Sequence, residues 1–175
     1  MENKLFYRSF KTKLGRMGIV WNEKDRRVKI IEMMLVDSSL NSVKKRYPEI
    51  LIGRNKIIEK TIEDIKSSLC GRSVKFNIKI LELSKLSGFQ KKVLIFITKI
   101  PPGQTMTYGE VARKLGFPNA ARAIGQALAK NPFPIIIPCH RVVKSNKNIG
   151  GFKGGVALKK KLLIIERRAS LLHPL

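Results

Sequence analysis

The sequence predicts an α+β protein, a small N-terminal β-sheet with helices followed by a mostly helical C-terminal part. Three observations lead there. Residues 5–35 hold three runs of β-type composition separated by turn residues. From residue 39 onward apolar residues recur mainly at helical spacing. With 43% hydrophobic residues in 175, the chain is apolar enough to bury a core in one domain or two small ones.

Leu5 to Phe10, Met17 to Trp21 and Val28 to Leu35 read as a three-stranded meander, with Asn22, Glu23, Lys24 and Asp25 as its second turn. Helices are predicted over Ser39 to Arg46 and Lys56 to Leu69, the second with Ile58, Ile62, Ile65 and Leu69 along one face. This half carries no motif with chemical content and reads as a scaffold; Cys70, at the helix end, reads as a small core residue or an inert thiol. A helix over Gly88 to Thr98 stops at Pro101-Pro102-Gly103. Thr107 followed by Glu110 has the spacing of a capping box, which gives Glu110 a structural role at the start of a helix ending near Gly116. Ala120 to Lys130 forms a second short helix, so the pair looks like a helix-turn-helix. Its small residues, Ala120, Ala121, Ala123, Gly125, Ala127 and Ala129, fit either close packing on a neighbouring helix or close approach to a nucleic-acid groove with Arg122 projecting into it. Phe133 to Pro138 is apolar, bracketed by prolines and too short for a helix, so a buried extended segment is expected to deliver Cys139 at its end. A last helix is predicted over Val156 to Arg168, with Lys159, Lys160 and Lys161 on one side. The domains expected are 1–85 (scaffold), 86–168 (DNA binding and chemistry) and a tail, 169–175.

Lys and Arg outnumber Asp and Glu by 36 to 12, a formal charge of +24 that points to a polyanion, with nucleic acid first. No apolar run approaches the roughly 20 residues that span a bilayer, and the N-terminus lacks a signal-like apolar segment, so an intracellular location is expected. Two cysteines make no disulfide framework. Residues 86–175 carry +14 and hold only two acids, Glu110 and Glu166. Glu166 has Leu162 and Leu163 at i−4 and i−3, so no local ion pair explains it, and an acid on a largely apolar face needs a distant partner. His140 is a candidate. A cysteine must be a thiolate to attack carbon, and Cys139-His140 with Glu166 then has the logic of an activated nucleophile, although a bare Cys-His pair also fits a buried thiol beside a bonded imidazole.

Pro138-Cys139-His140-Arg141-Val142, preceded by Asn131-Pro132 and followed by Gly150-Gly151-Phe152 and Glu166, resembles the O6-alkylguanine-DNA alkyltransferases, or methylated-DNA–protein-cysteine methyltransferases. The resemblance runs from about Gly88 to Glu166; the first half is similar only in size and element order. It implies a ribonuclease H-like N-terminal domain and a winged helix-turn-helix-like C-terminal domain. It makes Cys139 the alkyl acceptor, His140 its base through a water, Glu166 the group that orients the imidazole and Tyr108 the proton donor to the departing guanine. It assigns DNA contacts to Thr107, Ala121, Arg122, Ala123, Gly125, Lys130 and Arg141, with Arg122 filling the gap left by a flipped nucleotide. It places Asn131, Pro134, Val142, Gly150, Gly151, Phe152, Lys153, Gly154 and Lys159 around the base pocket, Asn131 as a hinge to the cysteine loop. Phe152 stands where the family more often has tyrosine.

The implied substrate is duplex DNA carrying O6-alkylguanine, with O4-alkylthymine a second, repaired once per molecule by a monomer in the cytoplasm at the nucleoid, or in the nucleus of a eukaryote. No cofactor and no metal are expected; the first 69 residues contain neither cysteine nor histidine. Three rivals stand beside this. An alkyltransferase-like lesion binder would lack Cys139, a helix-turn-helix regulator with a structural cysteine would bind by sequence, and a thiol hydrolase would leave the charge unexplained.

Overall fold

The computed structural model describes residues 4–25, 27–35, 39–145 and 148–172. Strands β1 (Lys4–Thr12), β2 (Gly15–Lys24) and β3 (Arg27–Met34) form an antiparallel meander, and the short β4 (Leu51–Ile52) joins β1 in parallel, giving the order β3-β2-β1-β4. Helices α1 (Leu40–Arg46) and α2 (Lys56–Leu69) complete this half. There follow α3 (Gly88–Ile97), β5 (Met106–Thr107), α4 (Tyr108–Lys114), α5 (Ala121–Ala129), β6 (Val142–Val143) and α6 (Val156–Leu172), with β5 and β6 paired in parallel.

Strand alternation sorts the sheet's two faces. Met17, Ile19 and Trp21 of β2 and Ile30 and Met33 of β3 are buried against Ile58, Ile62, Ile65 and Leu69 of α2. Val20 and Met34 turn the other way, into a smaller cluster with Tyr7, Val43 of α1 and Ile50. Gly18 belongs to this second face, where a β-carbon would lie 2.5 Å from the Tyr7 ring. The larger core does not stop at the sheet. It continues through Val93, Leu94 and Ile97 of α3, Val111, Ile124 and Leu128 of α4 and α5, and Leu158 and Leu162 of α6, so both halves share one apolar interior. A backbone bond stitches them further, from Met33 N to the Pro132 carbonyl (2.8 Å).

Several expectations need correction. Asn22, Glu23 and Lys24 pair with β3 rather than turning, because Trp21 Nε1 donates to Glu23 and holds the strand extended; the reversal follows Lys24, with Asp25 at φ 50°. Cys70 is exposed, not core. Helix α6 runs on through Leu172, so 169–172 are no tail: Ala169 and Ser170 pack over Gly71 and Gly103, while 173–175 lie outside the described residues. Lys159 does not share a side with Lys160 and Lys161; they are exposed and it is buried. Among the described residues no helix is long and apolar enough to cross a membrane.

Candidate active site

The segment before the cysteine is buried as expected but folded back on itself rather than extended. Ile137 N donates to the Phe133 carbonyl (2.8 Å) and Cys139 N to the Ile137 carbonyl (2.8 Å), with Ile135 at φ 74° between them. A β-branched residue in the left-handed region is strained, and such strain persists only where the surroundings enforce it. Asn131 does the enforcing. Its backbone N–H caps the end of α5 at the Leu128 carbonyl, its Oδ1 accepts from Phe133 N (2.9 Å), and its Nδ2 donates to the Ile137 carbonyl (3.0 Å) and to Cys139 Sγ (3.1 Å). The Phe133 N–H fixes which end of the amide is oxygen, so the NH2 must face the sulfur. Asn131 therefore joins α5 to the cysteine and gives a thiolate a donor.

Cys139–Arg141 form one 3-10 turn that leads into β6, and β6 pairs with β5, setting Met106 against Val142 and Thr107 against Val143. Thr107 caps α4 in a full capping box with Glu110, whose carboxyl is held below its ordinary range by the Thr107 N–H. Tyr108, next in the chain, thereby faces a cavity of about 340 Å³ shared with Cys139, Gly125, Leu128, Ala129, Gly151, Phe152 and Lys153. That volume is at the lower end of the roughly 300–1,000 Å³ typical of small-ligand pockets.

Behind the sulfur, His140 Nε2 meets Glu166 Oε1 at 2.8 Å, with both residues buried. Arg141 completes the cluster. Its Nε and NH2 bond to the same carboxylate at 3.0 and 2.8 Å and its NH1 donates to the Ile100 carbonyl. The DNA contact expected of Arg141 is thus overturned: its guanidinium is turned inward to the carboxylate, because a buried acid needs a paired and hydrogen-bonded cation. Burial works to raise the Glu166 pKa, but the hydrogen bonds and charges of His140 and Arg141 outweigh it and hold the group at about 2. Burial pushes the His140 pKa down and the Cys139 thiol up, the latter opposed by the Asn131 bond and by the Lys159 and Lys153 charges. The Tyr108 phenol is raised, by burial first and by Cys139 second. His140 Nδ1 is buried with no protein partner among the described residues.

Lys159 is fully buried, donating to the Val142 (2.6 Å) and Gly151 (3.3 Å) carbonyls, and so ties the cysteine strand to the opposite wall. Burial lowers its pKa to about 8. Gly150, at φ 72°, approaches Tyr108 so closely that a β-carbon would lie 3.1 Å from the hydroxyl. Gly150→Ala should destabilise the fold by roughly 1–2 kcal/mol, the cost of the left-handed conformation, and should slow any reaction that uses the phenol. Urea unfolding and a single-turnover rate measure the two effects. Pro134, Val142, Asn131 and Lys159 support the cavity without lining it, and Gly154 is wedged between Leu158 and Leu35. On α5, Arg122, Ala123 and Ala129 are exposed, as is Lys130 just past its end, Ala121 and Gly125 are half-buried, and Ala127 is buried with Ile124 and Leu128. The small residues thus pack inward on one side of the helix and leave an open surface on the other.

Residues 88–168 match the family model for the DNA-binding domain of 6-O-methylguanine DNA methyltransferase. A probable methylated-DNA–protein-cysteine methyltransferase of Acanthamoeba polyphaga mimivirus is 36% identical over 157 residues, covering 90% of this chain and 93% of that one. The chain belongs to the methylated-DNA–protein-cysteine methyltransferase family. The methyltransferase of Methanothermobacter thermautotrophicus is 43% identical over 109 residues, which span 62% of this chain and 61% of that relative. A crystal structure of Mycobacterium tuberculosis OGT in complex with DNA superposes with a TM-score of 0.77 at 25% identity, covering 94% of each chain. The O6-methylguanine-DNA methyltransferase of Pyrococcus kodakaraensis superposes at 0.68. The family likeness therefore extends into the N-terminal half, where the sequence offered only size and element order.

Proposed function

We propose that this protein removes an alkyl group from O6 of guanine in duplex DNA and keeps it on Cys139. The observation that carries the reading is that Cys139 lines one cavity with Tyr108 of α4 and with Gly125, Leu128 and Ala129 of α5, while His140, next in the chain, is bonded to the buried Glu166. The relative crystallised with DNA supports the choice of polymer.

The reaction needs a thiolate and a protonated leaving group. His140 takes the Cys139 proton, its bare Nδ1 reaching the sulfur through a water, and Glu166 steadies the imidazolium that forms. The resting thiol stays protonated because burial raises its pKa; Asn131 and the nearby lysines favour the thiolate once it forms. Sulfur attacks the alkyl carbon, the carbon–O6 bond breaks, and the electron pair leaves on guanine, which takes a proton from Tyr108. Arg141 keeps Glu166 ionised throughout. The thioether has no ready route back to thiolate, so each molecule reacts once. O4-alkylthymine, with the same kind of carbon–oxygen bond, is the second substrate of this reading.

Because the target carbon lies inside the stack, the nucleotide must rotate out, at a cost of a few kcal/mol. The α4–α5 pair acts as the helix-turn-helix, and exposed Arg122 at the start of α5 enters the gap and offsets part of that cost. The remaining charge holds phosphates without reading sequence, with salt-sensitive affinity. Arg122→Ala should slow transfer from a duplex roughly tenfold to hundredfold, in line with losing part of the flipping energy, while transfer from the free base stays unchanged. Equal losses on both would remove the finger role.

The deciding experiment is mass spectrometry after one equivalent of O6-methylguanine duplex. The Cys139 peptide should gain one methylene and the DNA lose it. Intact protein with an unmodified peptide would instead favour a helix-turn-helix binder with a structural cysteine.

A further inference from the structure

Among the described residues lining the cavity, Lys153 alone carries a formal charge at neutral pH. Its ammonium bonds Glu32 of β3 at 3.1 Å, across 121 residues of chain. Glu32 has more donors than one carboxylate requires. Arg46 NH1 reaches both of its oxygens, at 3.0 and 2.9 Å, and the Tyr47 hydroxyl adds a bond at 3.3 Å. If Lys153 leaves, the acid keeps Arg46 and Tyr47, so no buried charge is stranded. The lysine side chain is 46% exposed, and an ion pair with that exposure holds only weakly. One carboxylate against one guanidinium and one ammonium group also leaves this corner with a surplus positive charge.

A cation that is held loosely at a substrate cavity, and can leave its partner without penalty, suits an anion that arrives with the substrate. Alkylated guanine itself is neutral. The anionic oxygen must come from the phosphodiester of the flipped nucleotide or from an acidic alkyl substituent.

We propose that Lys153 is a substrate-binding residue that exchanges Glu32 for an anionic oxygen of the extruded nucleotide. The inference rests on the alkyl-transfer reading above. The β3–α1 corner then has a use beyond scaffolding: it stores the lysine at the cavity until the nucleotide turns in.

Single-turnover rates should be measured for the full chain and for Lys153→Gln and Lys153→Arg, with saturating O6-methylguanine duplex and with O6-benzylguanine, a neutral free base. Lys153→Gln should lower the maximal rate roughly tenfold to hundredfold, the range for losing a hydrogen bond to a charged group, on every alkylated duplex if the anion is the phosphodiester and only on an acidic adduct if it is the substituent. The free base brings no anionic oxygen, so its rate should fall far less, by no more than the weak support that the exposed Lys153 charge gives the Cys139 thiolate, and Lys153→Arg should restore most of the duplex rate. Paired duplexes carrying O6-propylguanine and O6-carboxymethylguanine distinguish the two sources. Equal losses assign the phosphodiester; a larger loss on the carboxymethyl adduct assigns the substituent. An equal loss on free base and duplex overturns the proposal, since Lys153 would then act on the thiolate, and so does a loss confined to duplex affinity, which any surface lysine would give. If the wild-type chain transfers no methyl group to Cys139, the alkyl-transfer reading itself fails and takes this inference with it.

Discussion

Cys139→Ala should abolish methyl transfer completely while leaving affinity for an O6-methylguanine duplex within about twofold of wild type, since truncation of a poorly exposed side chain touches no phosphate contact. The substitution removes a single sulfur. Asn131 Nδ2, which donates to Sγ at 3.1 Å, retains the Ile137 carbonyl at 3.0 Å, so only one of its two N–H donors loses an acceptor, and it does so at the cavity that Cys139 lines, where water can replace the sulfur. The stability cost should therefore stay near 1 kcal/mol, typical for deleting one buried heavy atom. Binding by fluorescence anisotropy and methylation by mass spectrometry, on one preparation, check both halves of the statement. Residual transfer in the alanine variant would move the acceptor away from Cys139. Simultaneous loss of binding and of cooperative unfolding would show that the thiol holds the loop together, against the reading of it as a nucleophile.

Much of this molecule is readable where local pattern and burial coincide. Ile58, Ile62, Ile65 and Leu69 recur on one helical face, and α2 buries that face with the boundaries expected. Thr107 and Glu110 satisfy each other within one turn, so their spacing alone reveals the cap. Glu166 was legible by exception, as an acid with no local partner in a basic segment, and its contact with His140 answers that. What sequence spacing does not carry is the pairing of distant charges. Glu166 takes Arg141 as well as His140 because a 3-10 turn sets consecutive side chains against one carboxylate, a geometry invisible in a helix or strand period. By spacing, Lys159 reads as one of three lysines on one side of a helix, and only the family resemblance sets it at the pocket; with α6 docked, its ammonium meets the Val142 and Gly151 carbonyls. The Glu32–Lys153 link spans the two halves and belongs to no motif. The reversal at residues 133–138 is hidden from the sequence for another reason: prolines and apolar residues specify burial, but Asn131 specifies the path.

Glu166→Gln should cost both stability and rate. The amide keeps the size of the acid but removes the charge that Arg141 faces, and removing one member of a buried pair typically costs roughly 3–5 kcal/mol. His140 would lose the group that stabilises its imidazolium, so transfer should fall by two or more orders of magnitude, with Glu166→Asp, which keeps the charge, recovering part of both. The sign of the pH dependence separates this from simple loss of packing. The carboxyl is held at about 2 in the folded chain against an ordinary value of 4.5. Above the unfolded value the paired carboxylate contributes its full stability, on the order of 3 kcal/mol. As pH falls through the window from about 4.5 to about 2, the unfolded chain takes up a proton that the folded chain refuses, and that contribution is lost. His140 acts in the same direction at higher pH. Burial lowers its pKa from 6.5, so below that value protons again favour the unfolded chain. Urea midpoints at about pH 7 and about pH 3 should therefore converge between wild type and Glu166→Gln, the wild type losing most of its advantage in acid. A difference that stays constant across that range would mean that Glu166 supports the fold by shape alone, and the pairing with His140 and Arg141 would then carry no free energy of its own.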